Sequence, residues 1–144
     1  MRRDGIEQWD EIYPTEKGLL SDIESGSLFV AAFDDAIAGL VVLNEFQDPE
    51  YAGVPWTIDG GRIAVVHRLM VDPLCQGRGV ASELMLFVER RAREQGYHAV
   101  RLDAFTQNPA ALRLYQGLGY HDAGAMRLRK GWFRGFEKAL SHLL

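Results

Sequence analysis

An α/β sandwich with a mixed sheet is the fold class the sequence predicts, and three features carry that expectation. Two helix-periodic stretches interrupt a series of short apolar or β-branched runs. Near the start, two such runs separated by Asp34-Asp35 carry a hairpin signature. Two further runs around Gly131 close the chain. The predicted order is α, β-hairpin, β, α, β, α, β, β.

Each element has a local reason. Thr15 to Ser25 reads as a short helix: Pro14 precedes it, Leu19, Leu20 and Ile23 form an apolar face, and Gly26 can take the left-handed stop. Leu28–Phe33 and 37–46 are the hairpin strands. Residues 47–61 contain Asp48-Pro49, Val54-Pro55 and Asp59-Gly60-Gly61, so they read as a loop, long enough to be functional or mobile. Ile63–Val71 is a central strand ended by Asp72-Pro73. From Gly79 to Gln95, Val80, Leu84, Phe87, Val88 and Ala92 recur at the spacing of one buried helical face, and Gly96 stops it. Ala99–Phe105 is a strand, and Pro109 to Leu118 a short helix with proline in its first turn. Strands over 120–129 and 132–140 follow. The last, if at a sheet edge, offers itself to another copy, so a homodimer stays open.

With 144 residues, the chain is expected to form one domain, 1–144. Hydrophobic residues at 47% and charged residues at 25% exclude a disordered tail or a coiled-coil rod. Sixteen basic against twenty acidic side chains leave a net charge of −4, so no nucleic-acid partner is expected. The longest apolar runs fall far short of the ~20 residues that span a bilayer, and no membrane association is expected. Arg2-Arg3 is followed by polar residues rather than an apolar core, and the single cysteine, Cys75, permits no intrachain disulfide. A cytoplasmic location is the expectation. The four histidines lack zinc-ligand spacing, so no metal is expected.

The segment from Val71 to Ala81 joins a buried strand to the first turn of an amphipathic helix. Such a turn presents unpartnered amides and the positive end of the helix dipole. Gly77, Gly79 and the small Ala81 leave those amides open to an anion, most naturally a pyrophosphate. The glycines are equally what a tight turn requires. A Walker A loop is excluded because no Lys-Ser or Lys-Thr follows either glycine. A Rossmann dinucleotide fingerprint would place Gly77 and Gly79 with Ser82 in the third position, and Asp103 as the ribose acid. The preceding hairpin and the short remaining chain count against it.

Gln76-x-x-Gly79-x-Ala81 is followed about thirty residues later by Asn108-x-x-Ala111-x-x-Leu114-Tyr115-x-x-x-Gly119-Tyr120. Together these motifs resemble the GNAT superfamily of acetyl-CoA-dependent N-acetyltransferases, and the likeness extends over nearly the whole chain. The resemblance implies a single domain with a mixed, mostly antiparallel sheet flanked by helices. It also implies acetyl-CoA as acetyl donor and direct attack by a primary amine in a ternary complex. By that resemblance Gln76, Gly77, Arg78, Gly79, Val80, Ala81 and Ser82 would hold the pyrophosphate, and Leu69, Met70 and Val71 would pair with the pantetheine arm. Asn108 would bond the pantetheine, or simply cap its helix. Tyr115 would be the general acid, unless it is only a packed core tyrosine.

The motifs do not fix the general base. Glu45 and His67 are the favoured candidates. Arg68 and Asp103 are candidate substrate contacts, with Asp103 also in reach of the base role. Trp9 and Tyr13, with Tyr51 and Trp56 from the long loop, are candidate walls of an acceptor pocket. Asp48, Glu50 and Asp59 give that loop an acidic cast, which points to a small cationic amine, free or on a peptide. An acyl-CoA-binding module without turnover is the alternative from another class.

Overall fold

The computed structural model describes residues 26–33, 36–58 and 60–140. Strand β1 spans Leu28–Phe33, β2 Ala36–Asn44, β3 Ile63–Val71, β4 Ala99–Phe105, β5 His121–Leu128 and β6 Gly131–Ala139. Helix α1 spans Val80–Glu94 and α2 Pro109–Gly117, with single 3₁₀ turns at Pro49–Gly53 and Pro73–Cys75. The expected helix over 15–25, with Trp9, Tyr13 and Asp59, lies outside the described residues. No helix among the described residues is long and apolar enough to cross a membrane.

The strands form one six-stranded sheet in the order β1-β2-β3-β4-β6-β5. β3 and β4 are parallel, while β1–β2, β4–β6 and β5–β6 are antiparallel. The mixed, mostly antiparallel sheet is therefore present. One expectation is corrected: the closing strand is no edge, because the last hairpin folds back and inserts β6 between β4 and β5. Among the described residues the edge strands are β1 and β5.

The described residues gather into two compact units. One holds the chain up to Asn44 together with Val66–Val88; the other holds Glu45–Val65 and the chain from Glu89 onward. In the first, β1 pairs with β2 from Leu28↔Val42 to Phe33↔Ala36. Val41, Val42, Met85 and Val88 are fully buried, and Phe29 meets Phe87 edge-on with ring centroids 5.2 Å apart. Gly39 explains a close approach there. A Cβ at that position would lie 2.7 Å from the Met70 carbonyl oxygen and 3.1 Å from the Val80 and Leu84 side chains.

In the second unit β4 pairs with β6 along its whole length, from Ala99↔Ala139 to Phe105↔Phe133. Its parallel register with β3 runs over Ile63↔Ala99, Ala64↔Val100 and Val65↔Arg101. Tyr51, Val54, Val65, Ala123, Met126 and Phe133 form an apolar cluster, with Trp56, Phe105 and Leu128 against it. The long loop thus contributes to the core rather than standing off from it.

Candidate functional site

The first unit carries a strand, loop and helix start. Within β3, Arg68 adopts φ 55°, a left-handed value that a non-glycine residue takes at a cost of ~1–3 kcal/mol. Leu69, Met70 and Val71 follow, all half-buried. The strand stops at Asp72, whose carboxylate accepts the Leu74 amide at 2.9 Å and opens the Pro73–Cys75 turn. Gly77 and Gly79 then take φ 83° and 77°. Added Cβ atoms there would meet no atom within 4 Å, so both glycines face open space. Their need is conformational, and the backbone beside them is accessible.

Val80, 2% exposed, anchors the first turn of α1, and the first helical bond runs from Glu83 to Gly79. The amides of Val80, Ala81 and Ser82 precede that bond and are the ones a helix leaves for an outside acceptor. Gln76 and Arg78 are exposed beside them. In the same unit, His67 Nε2 lies 3.0 Å from Asn44 Oδ1. An amide oxygen there favours the tautomer with its proton on Nε2.

The second unit carries Asn108, Tyr115, Asp103 and Glu45. Asn108 caps α2, its side-chain oxygen accepting the Ala111 amide at 3.2 Å, so the capping role is real and its amide NH₂ is left to donate elsewhere. Two turns later Tyr115 is 6% exposed, its ring 5.9 Å from those of Tyr120 and Phe136. Among the described residues its hydroxyl has no hydrogen-bond partner. Burial first, and then the Asp103 charge, push its phenol well above the ordinary tyrosine range.

Asp103 sits in mid-β4, opposite Gly135 of β6. Tyr51 donates its hydroxyl to Asp103 Oδ2 at 2.6 Å. Among the described residues Oδ1 has no such partner. Burial pushes the carboxyl up, the Tyr51 bond pulls it down and the Asp48 charge pushes it up again, leaving it at about 6. Tyr51 itself, 1% exposed, is held well above its ordinary value by burial and by Asp103.

Glu45 is placed differently. It is exposed, paired with Arg62 at 2.9 Å, and accepts the Tyr97 hydroxyl at 2.7 Å. Arg62 first, and then Tyr97, hold its carboxyl below the ordinary range. Asp103, Tyr51, Tyr115, Asn108 and Glu45 thus share one unit, while His67, Arg68, residues 69–71 and the Gln76–Ser82 loop share the other. The partnership of Tyr51 with Asp103 escapes sequence reasoning, since 52 positions separate the two and no motif links them.

One unit thus holds a strand ending in a glycine loop that opens a long helix, and the other holds the short helix that bears Tyr115. Residues 1–120 match the acetyltransferase (GNAT) family, and the chain belongs to it. N-acetyltransferase 8F1 of Rattus norvegicus is 31% identical over 107 residues, which is 74% of this chain and 45% of that protein. Human N-acetyltransferase 8 is 34% identical over 102 residues, 70% of this chain and 41% of that protein. The chain spans less than half the length of these curated relatives. An acetyltransferase of the GNAT family from Streptococcus agalactiae 2603 shares the fold with a TM-score of 0.80 at 21% identity, covering 93% of this chain and 77% of that one. The structure of yncA from Salmonella typhimurium, solved with its cofactor acetyl-CoA, shares it with a TM-score of 0.66 at 16% identity, covering 88% and 73%.

Proposed function

We propose that the chain transfers the acetyl group of acetyl-CoA to a primary amine by direct attack in a ternary complex, with no acetylated enzyme on the way. Family membership supports the donor. The observation that carries the reading is the left-handed Gly77 and Gly79 just before α1, where the backbone turns without a side chain and faces open space beside the amides of the first turn. Residues Gln76 to Ser82 would hold the pyrophosphate through the amides of the first turn, and Leu69–Val71 would offer backbone groups to the pantetheine. When bound, acetyl-CoA supplies an activated thioester.

The remaining chemistry belongs to side chains. An ammonium acceptor must lose a proton, and of the two carboxylates Asp103 suits that role better than Glu45. Its carboxyl stands at about 6, whereas Glu45 is held low and occupied by Arg62 and Tyr97. Tyr115 keeps its proton at neutral pH and offers it as a hydrogen bond to the departing sulfur. A phenol held so high is a stabiliser of thiolate charge rather than a ready proton donor. Half-buried Asp48 and exposed Glu50 lie on the loop that carries Tyr51, so a small cationic amine, free or on a peptide, is the acceptor class we favour.

Release of thiol from acetyl-CoA, with spermidine, free lysine and a peptide bearing a free N-terminus as acceptors, tests this directly. Turnover with an amine is expected. In parallel, acetyl-CoA at 100 times its dissociation constant stabilises the fold by ~2.7 kcal/mol, and NAD leaves it unchanged. Binding without turnover of any amine would favour a module that binds an acyl-CoA without catalysis. Stabilisation by NAD instead would return the dinucleotide reading.

A further inference from the structure

The connection from Gln47 to Gly61 is long for a compact domain, and such segments are usually mobile or functional. Here its second half is anchored. Glu137, in mid-β6 and 0% exposed, turns both carboxylate oxygens to the loop. Oε2 accepts the Thr57 hydroxyl at 2.6 Å and its amide at 2.9 Å, and Oε1 accepts the Ile58 amide at 3.0 Å. Arg101 donates to the Ile58 carbonyl at 2.9 Å and to the Gln47 side chain at 2.8 Å, while its guanidinium lies 4.4 Å over the Trp56 ring. Gly135 makes room for that ring: a Cβ there would stand 2.8 Å from it. Trp56 Nε1 in turn donates to the Tyr51 carbonyl at 2.8 Å. The line of contacts ends at the Tyr51 hydroxyl on Asp103 Oδ2.

A buried carboxylate is costly to leave without partners, so an anchor built on Glu137 holds its loop to one conformation. We propose that Tyr51 is a positioning residue for Asp103, fixed by the Glu137–Thr57 and Arg101–Trp56 anchors so that Oδ2 is engaged and Oδ1 receives the acceptor amine. The proposal rests on the reading that Asp103 takes the proton. The charged and titratable groups facing Asp103 are Tyr51 and Asp48 from the loop and Tyr115 from α2. Gly135, its register partner on β6, brings no side chain, and Arg101 on β4 is committed to the loop.

Two neighbours on one loop therefore act on Asp103 in opposite directions. Tyr51 donates to the ionised form and favours it; the Asp48 charge disfavours it. The test is a carbon-13 NMR titration of the aspartate side-chain carboxyls in the full chain, with Asp103→Asn identifying the resonance. Tyr51→Phe, which keeps the ring in the core, raises the Asp103 midpoint by about one pH unit, a tenfold rise in proton affinity. Asp48→Asn lowers it. Thr57→Val, which loosens the anchor without touching the pair, moves it upward by less.

A Tyr51→Phe protein that melts earlier with the midpoint unmoved would show a packing role alone and overturn the proposal. Should that variant not fold, an unmoved midpoint in Thr57→Val overturns it in the same way. Thiol release by Asp103→Asn, with the amine that turns over in the panel, separates the two layers. Full turnover there defeats the base reading and this proposal with it. Lost turnover with an unmoved Tyr51→Phe midpoint defeats only the role of Tyr51.

Discussion

Asp103→Asn is expected to stabilise the fold while abolishing turnover, and the stabilisation has a defined pH dependence. Burial, partly offset by Tyr51 and reinforced by Asp48, lifts the carboxyl from 3.8 to about 6. A carboxyl raised in the native state binds its proton more tightly there than in the unfolded chain. Stability therefore falls as pH climbs from about 4 to about 6, and the loss is complete above that window. A rise of about two in pKa corresponds to ~3 kcal/mol. Asparagine keeps an oxygen for the Tyr51 hydroxyl and carries no charge, so it escapes the cost. Urea unfolding of both proteins across about pH 3.5 to 7.5 is the assay. Near-equal stabilities are expected at the acid end, with a gap of ~3 kcal/mol in favour of asparagine at neutral pH. Subtraction isolates Asp103, because Glu45 and Glu137 titrate alike in both proteins. A gap that does not change with pH, or an asparagine variant less stable at neutral pH, would show that Asp103 ionises at its ordinary value, and the argument for it as base would go.

Tyr115→Phe should lower turnover by ~10²-fold or more while leaving stabilisation by acetyl-CoA intact, because the ring contacts with Tyr120 and Phe136 survive. Unchanged turnover would remove its role at the sulfur. Gly39→Ala places a Cβ 2.7 Å from the Met70 carbonyl, so a loss of about 1–3 kcal/mol in thermal unfolding is expected. Glu137→Gln loses a charge-assisted acceptor for Thr57 and Ile58 and should cost about 1–3 kcal/mol at neutral pH. Burial raises the Glu137 carboxyl, but bonds from Thr57 and Ile58, with Arg101 nearby, outweigh it and leave the value low. Its contribution is therefore present at neutral pH and lost as pH falls through its native value. The Glu137→Gln deficit should shrink in acid in denaturant titrations.

What the sequence made legible is what local backbone chemistry dictates. Helix starts and stops at Gly79, Gly96 and Pro109 depend on the conformations glycine and proline permit, and α1 and α2 fall within one residue of the expected bounds. Asn108 declares itself as a cap by type and place alone. Partnerships across the fold are not legible in this way. Glu137 reads as a polar residue in a closing strand, yet it is buried because loop amides from eighty positions away meet it. The strand that bears it is internal for the same kind of reason, a return of the chain that no periodicity announces.

The choice of base shows where that boundary falls in chemical terms. Glu45 and Asp103 are the same functional group, and their places along the sequence favour Glu45 without showing what surrounds either. An exposed carboxylate with a guanidinium at 2.9 Å and a phenol at 2.7 Å is kept ionised and occupied. A buried one with a single phenol at 2.6 Å and an acidic neighbour is pushed toward the proton affinity that base catalysis near neutral pH needs. The difference lies in who surrounds each group, and those surroundings are assembled by Tyr51, Asp48, Arg62 and Tyr97 only once the chain has folded.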